Sequence, residues 1–324
     1  MKISARTRLG SALSKVAFVA VAIASTCLPA LAKPFTIPVL PDTQIAVRAR
    51  PEMLNSQLDW IVQNKKALKI PLVLHVGDIV DWDNIKQWET ADKSFEVLDK
   101  ARIPYALAVG NHDTAAVGEF SGSAAPGNVN LNLRNTAKFN QFFPTKRFKA
   151  QKGRYEEGKS DNAFYTFKAQ GLNWMVVTLE FCARQGPVDW ANQVIAAHPH
   201  HNVIILTHFH LTSKGEINQN NAGYGNLTTQ SIYDQMIKKH ANILLVLSGH
   251  VDSSAWRTDK GEQGNTIYQI LQDYQSSDSG GGYIRLLEID PEKGTLSAQM
   301  YSPFYSKTRE DDSKFSFSDM KFIR

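Results

Sequence analysis

Cysteine is almost absent from this chain: its 324 residues include two, Cys27 and Cys182. With the segment before residue 33 removed, as its pattern indicates, one remains and no internal disulfide can form. Stability must then come from packing, and roughly 290 residues are enough for one large core. Cys182 closes the apolar stretch 176–182 and reads as an inert buried thiol. Also lacking is an apolar run long enough for a bilayer; 16–24 falls short of the about 20 residues that a spanning helix needs. There is no Arg-Arg pair, no internal repeat and no Gly-x-Ser-x-Gly elbow. These absences argue against twin-arginine export, a solenoid and Ser/His/Asp nucleophilic catalysis.

What stands at the start is a targeting pattern. Lys2, Arg6, Arg8 and Lys15 precede the short apolar run, and Ala30-Leu31-Ala32 follows it. A charged start, an apolar core and an Ala-x-Ala exit describe a secretory signal peptide over residues 1–32. A lipoprotein site at Cys27 is disfavoured because bulky Thr26 precedes it. Cleavage there leaves 32 basic against 31 acidic side chains, so the net charge falls from +5 to +1. The basic balance of the whole chain is mostly a targeting signal, and long nucleic acid is not an expected partner. The mature protein is expected in the periplasm or outside the cell, without a membrane anchor.

Strand-like apolar runs fall at 35–40, 72–76, 103–109, 174–179, 203–206 and 243–247. Between them lie amphipathic helical faces: Met53, Leu54, Leu58, Ile61; Trp88, Ala91, Phe95, Leu98; Trp190, Val194, Ile195; and Ile232, Met236, Ile237. Alternation of this kind predicts α/β layering. The runs 266–271, 283–289 and 295–301 follow with only turns between them, and Asp290-Pro291-Glu292-Lys293-Gly294 reads as a hairpin connection. The sheet system is therefore expected to finish in antiparallel strands. Two irregular segments, 118–130 and 213–226, follow motif positions and could lie over a site. The charged segment 307–324 reads as a peripheral tail behind a domain over 33–306.

The chemistry sits where the strands run out. Asp42-Thr43-Gln44, Gly77-Asp78-Ile79-Val80-Asp81, Gly110-Asn111-His112-Asp113, Thr207-His208-Phe209-His210 and Gly249-His250-Val251-Asp252 each follow an apolar run. Open α/β sheets place ligand sites at such edges. Mixed carboxylate, amide and imidazole donors suit Mn, Fe, Zn or a pair of ions, and two ions about 3.5–4 Å apart can clamp a displacement at phosphorus. His75 and Glu180 read as interior hydrogen-bonded groups, and His198, His200 and His201 as a solvated turn.

The ordered set resembles the calcineurin-like metallophosphoesterases, whose motifs run D-x-H, G-D-x-x-D or N, G-N-H-D or E, an isolated His, then G-H-x-H. The second and third motifs match in full. The match is closest to a secreted branch with Asp-Thr-Gln first and a segment like Asp273-Tyr274-Gln275 to Leu287 late. The resemblance implies two packed mixed β-sheets flanked by helices, an αββα sandwich, and two divalent ions (Mn, Fe, Zn or Mg). It implies that Asp78 bridges the ions, that Asn111, His208 and His250 complete one metal site and that Asp42 binds the other. It further implies that His112 acts near the substrate with Asp113 holding its second nitrogen. A metal-bound water or hydroxide would attack the phosphorus of a small phosphorylated substrate.

Two positions depart from the family. Gln44 stands where a His is usual, and Asp252 where the last His belongs. The second site would then be Asp42, Asp78, Asp252 and Gln44, all oxygen donors, which favours harder ions over Zn. A phosphodiesterase or nuclease of the same fold, or a metal-binding relative without turnover, are the competing readings.

Overall fold

The computed structural model describes Met1, residues 34–221 and residues 223–324. Residues 1–32, expected to form a signal peptide with its exit near Ala32, lie outside the described residues apart from Met1. Residues from Pro34 on belong to one compact unit, Ala32–Arg324.

Period-two burial builds the sheets. In Leu172–Leu179, Trp174 and Val176 join a core shared with the other sheet, while Met175 and Val177 face Val188, Ile195 and Met236 on helices. Ile204 and Leu206 alternate with Val203 and Ile205 in the same way. The result is two seven-stranded mixed sheets packed face to face and flanked by helices, as the resemblance implied. The helices Pro51–Asn64, Ile85–Lys100 and Gln185–Ala196 carry three of the anticipated apolar faces; of the fourth, Ile232 lies on Thr229–Gln235, while Met236 follows its end and Ile237 opens the 3-10 turn Ile237–Lys239. Asn84 and Thr228 cap two of these helices by accepting the backbone N–H three residues on.

The first sheet runs Lys307–Thr308, Thr295–Ser302, Ile284–Asp290, Phe35–Leu40, Val73–His75, Tyr105–Leu107, with Phe315–Phe317 also pairing along Thr295–Ser302. The second runs Ser254–Lys260, Thr266–Gln272, Ile243–Ser248, Asn202–Thr207, Leu172–Leu179, Ala163–Ala169, Gln151–Arg154. The central strands of both are parallel. Ile284–Asp290 and Thr295–Ser302 form the anticipated hairpin. Thr266–Gln272 does not continue that antiparallel series: it lies parallel beside Ile243–Ser248, with Ser248 opposite Leu271.

Arg285 bolts the two sheets together. It is fully buried in the first sheet and donates across to Gln272 Oε1 (3.1 Å), Ser254 Oγ (2.8 Å) and Tyr274 Oη (2.7 Å), and to the Ser313 carbonyl (2.5 Å). Four acceptors around one guanidinium offset its desolvation. The segment from Lys307, anticipated as a peripheral tail, supplies two short strands and that Ser313 acceptor, and it buries Phe317 and Met320. Phe317 packs against Tyr268 and Trp256, with ring centroids 4.7 and 5.4 Å away. Phe317→Ala should therefore lower unfolding free energy by about 3 kcal/mol. Urea unfolding checks this; a change under about 0.5 kcal/mol is what a loose surface tail would give.

Candidate metal centre

Five parallel strands deliver their C-terminal residues to one edge, as open sheets do. His208 is the hub. Its Nδ1–H donates to the Val76 carbonyl at 2.9 Å, which orients the ring and turns Nε2 inward. Nε2 lies 3.3 Å from Asp78 Oδ2, 3.2 Å from His250 Nδ1 and 3.8 Å from Asp42 Oδ2. One ligand atom each from Asp78, His208 and His250 fits within 4.8 Å of the others.

The backbone is bent to bring them there. Asp78 and His250 both adopt left-handed conformations, φ 55° and 72°. Such φ values are unfavourable for β-carbon residues and persist where surrounding structure imposes them. Two glycines make room. A Cβ on Gly110 would sit 2.0 Å from Asp78 Oδ1, and one on Gly249 would sit 2.1 Å from Asp42 Oδ1.

The donor chemistry fits divalent ions. Asp42 Oδ1, Gln44 Oε1 and Asn111 Oδ1 are buried with no hydrogen-bond partner, and all are oxygens able to ligate. Burial, then the charges of Asp273 and Asp78, raise Asp42 well above the usual carboxylate range. Burial also acts on Asp78, but the imidazoles of His208 and His112 outweigh it and hold its carboxyl below that range. Burial and the neighbouring His208 keep His250 neutral, its value pushed down to about 3. No Lys or Arg pairs with Asp42, Asp78 or Asp113 among the described residues. Gln44, at the start of a short helix, is anchored by its Nε2–H to Asp78 Oδ2 at 2.9 Å.

His112 stands beside this cluster with a fifth of its side chain exposed. Its backbone N–H donates to Asp78 Oδ1 at 2.9 Å. Its ring partner is not Asp113: Nδ1 donates to the Asp81 carbonyl at 2.7 Å, with Asp81 Oδ1 at 3.6 Å. Asp113 instead accepts the N–H groups of Ile79, Val80 and Gly110 at 2.8, 3.2 and 2.9 Å, clamping the two motif loops together. It is committed to backbone and has no reach left for the ring. Burial disfavours the imidazolium at His112, yet Asp78 and the Asp81 carbonyl outweigh burial and raise its pKa. The two irregular segments meet nearby. Gly122 approaches His112 Cε1, Tyr224 packs on Phe181, and Asn226 donates to Asn130 Oδ1 at 2.5 Å.

Other sequence candidates fall elsewhere. Asp252 is exposed at the rim. His75 is fully satisfied: Nδ1 accepts from Gly77 N–H, so Nε2 carries the hydrogen and donates to Thr43 Oγ1 at 2.9 Å. Glu180 is paired with Arg134 and Arg184. Burial pushes the Cys182 thiol up to about 12, which makes it inert. His210 turns inward to Gln269 Oε1 at 2.6 Å, and burial pushes it down to about 4.

Gly110→Ala should lose metal uptake and some stability, because the methyl would meet both the Asp78 carboxylate and, at 2.4 Å, its backbone N; metal analysis and urea unfolding of the purified variant check this. A pH effect follows from His210. The unfolded chain takes up its proton near 6.5, the folded one near 4. The unfolded state binds more protons between these values, so stability is full above about 6.5 and falls as the pH drops toward 4. Urea midpoints of chelator-treated protein should decline across that window, and less steeply in His210→Asn.

Comparison with known proteins bears on the family and the fold. The chain is 31% identical over 279 residues, 83% of its length, to the uncharacterised protein YvnB of Bacillus subtilis. It spans about a fifth of that relative's length. A dimetal phosphatase from Danio rerio superposes with a TM-score of 0.53 at 14% identity, over 88% of this chain and 99% of that one. A purple acid phosphatase from yellow lupin gives 0.54 at 14%, over 89% of this chain and 54% of that one. At such identities these two establish the fold alone. Residues 36–253 match the profile of the calcineurin-like phosphoesterases, and the chain belongs to that family.

Proposed function

We propose that this protein hydrolyses a small phosphate ester at a dinuclear metal centre, after export and removal of residues 1–32. The observation that carries the reading is the convergence of Asp78 Oδ2, His208 Nε2 and His250 Nδ1, with unpartnered buried oxygens of Asp42, Gln44 and Asn111 around it. Asn111, His208 and His250 would hold one ion, Asp42 and Gln44 the other, and Asp78 would reach both. Divalent ions there supply Lewis acidity, which neutralises phosphoryl charge and makes a nucleophile available at neutral pH.

The protein's own groups do the rest. The imidazole of His112 is held by the Asp81 carbonyl at Nδ1, so Nε2 is the nitrogen left for substrate. Held there, the ring can donate from Nε2 to the leaving oxygen as the P–O bond breaks. Asp113 keeps the loops of Asp78 and His112 in register. The meeting of the two irregular segments near His112 and His250 gives the site a wall suited to excluding water. A near-neutral charge beyond residue 32 favours a small substrate over a polyanion.

Asp78→Ala should lose metal and activity together. His112→Ala should keep its metal and lose about 10²–10⁴-fold in turnover. Metal analysis with a panel of phosphate monoesters and diesters tests both. Metal retained by Asp78→Ala but lost by His112→Ala would reverse the roles. Bound metal in the wild type with no turnover on either ester class would leave a binding protein.

A further inference from the structure

The strand Thr266–Gln272 runs parallel beside Ile243–Ser248, so the residue after it leaves the sheet on the same edge as His250. That residue is Asp273. Its side chain has no exposure to solvent. Oδ1 accepts the Gln275 N–H at 3.0 Å, and Oδ2 has no partner at all. Asp42 is in the same condition: Oδ2 takes the His250 N–H at 3.0 Å, and Oδ1 has nothing. The strand ends carry both carboxylates to the same edge: Ser248, two residues before His250, lies opposite Leu271, two residues before Asp273, and the Asp42 carboxylate takes the His250 N–H.

Their placement is built in. Gln272 donates from Nε2 to the Val39 carbonyl at 3.1 Å, tying the residue before Asp273 to the strand that leads to Asp42. Arg285 grips the same Gln272 through Oε1 and also holds the Tyr274 hydroxyl. Asp273 is thus clamped on both sides while its own Oδ2 stays unpaired. Two buried carboxylates at one sheet edge, each with an unpartnered oxygen, cost several kcal/mol unless a cation or a proton intervenes. Asp252, which stands where the family has its last His, is exposed.

We propose that Asp273 is a ligand of the oxygen-donor metal site, acting with Asp42, Asp78 and Gln44, and that Asp252 is not. The carboxylate from the adjacent strand end takes over the place the family gives to its last imidazole. Three carboxylates and an amide oxygen make a hard site that prefers Mn or Mg to Zn. The inference rests on the two-ion reading above.

The test uses the full mature protein loaded with Mn²⁺ and desalted, with metal counted by mass spectrometry and ion–ion coupling read by EPR. The wild type should hold two ions with a coupled signal. Asp273→Asn, which keeps the acceptor for Gln275, should hold one ion with an uncoupled signal, and Asp252→Asn should stay like the wild type. The ion kept at His208 and His250 reports that the fold is intact. Asp273→His should regain the second ion and shift preference at that site toward Zn. The proposal fails if Asp273→Asn keeps two coupled ions, if Asp252→Asn loses one, or if Asp273→His behaves like Asp273→Asn. A wild type that takes up no ion refutes the metal-centre reading itself, a different outcome from any of these.

Discussion

Repulsion among buried carboxylates is the constraint around which this molecule is arranged. Asp42, Asp78, Asp113 and Asp273 lie almost wholly out of water within one region, and none has a Lys or Arg beside it among the described residues. Charges in that state are unfavourable by several kcal/mol each unless matched. Asp113 is matched by three backbone N–H groups, and Asp78 by a histidine, an amide and a backbone N–H. Asp42 and Asp273 each have one oxygen bonded to a backbone N–H and one with no match within the protein. The left-handed backbone at Asp78 and His250, and glycines that permit no methyl, exist to hold this arrangement against its own repulsion.

The division of labour between two neighbouring acids illustrates how position decides role. Asp81 and Asp113 belong to adjacent motifs and both lie near His112. Asp113 spends its oxygens on the backbone of Ile79, Val80 and Gly110, while Asp81 lends the ring only its main-chain carbonyl and pairs its side chain with Arg48. A four-residue motif read in isolation makes the adjacent carboxylate look like the orienting partner. In space, a loop from the neighbouring strand comes closer.

Much of this was legible in the sequence. Continuous apolar runs such as 203–206 and 243–247 become strands buried on both faces, and 3.6-period faces become helices, because burial is the same constraint in both languages. Asp42, Asp78, Asn111, His208 and His250 followed from strand ends. What escaped was set by pairing partners. Ala163–Ala169 alternates apolar and partly exposed residues and carries Lys168, so it shows no run. Thr266–Gln272 is as apolar as a strand should be, but nothing local distinguishes a parallel from an antiparallel neighbour. Nothing local marks Asp273 as leaving the sheet on the same edge as His250, whereas Asp252 stands at the spacing where the family has its last His.

The pairing of Phe35–Leu40 with Ile284–Asp290 on one side and Val73–His75 on the other sets an order of events. The strand that leads to Asp42 has one neighbour close in sequence and one near the far end of the chain. Closing the sheet around it therefore brings together segments whose loop-closure entropy is large. Gln272 and Arg285, which fasten that strand to the second sheet, also come late in the chain. The ligand edge cannot be complete before nearly the entire polypeptide is available. The ligand edge thereby depends on residues from both ends of the chain, and a chain cut before Gln272 would lack the bonds that fasten the Asp42 strand to the second sheet.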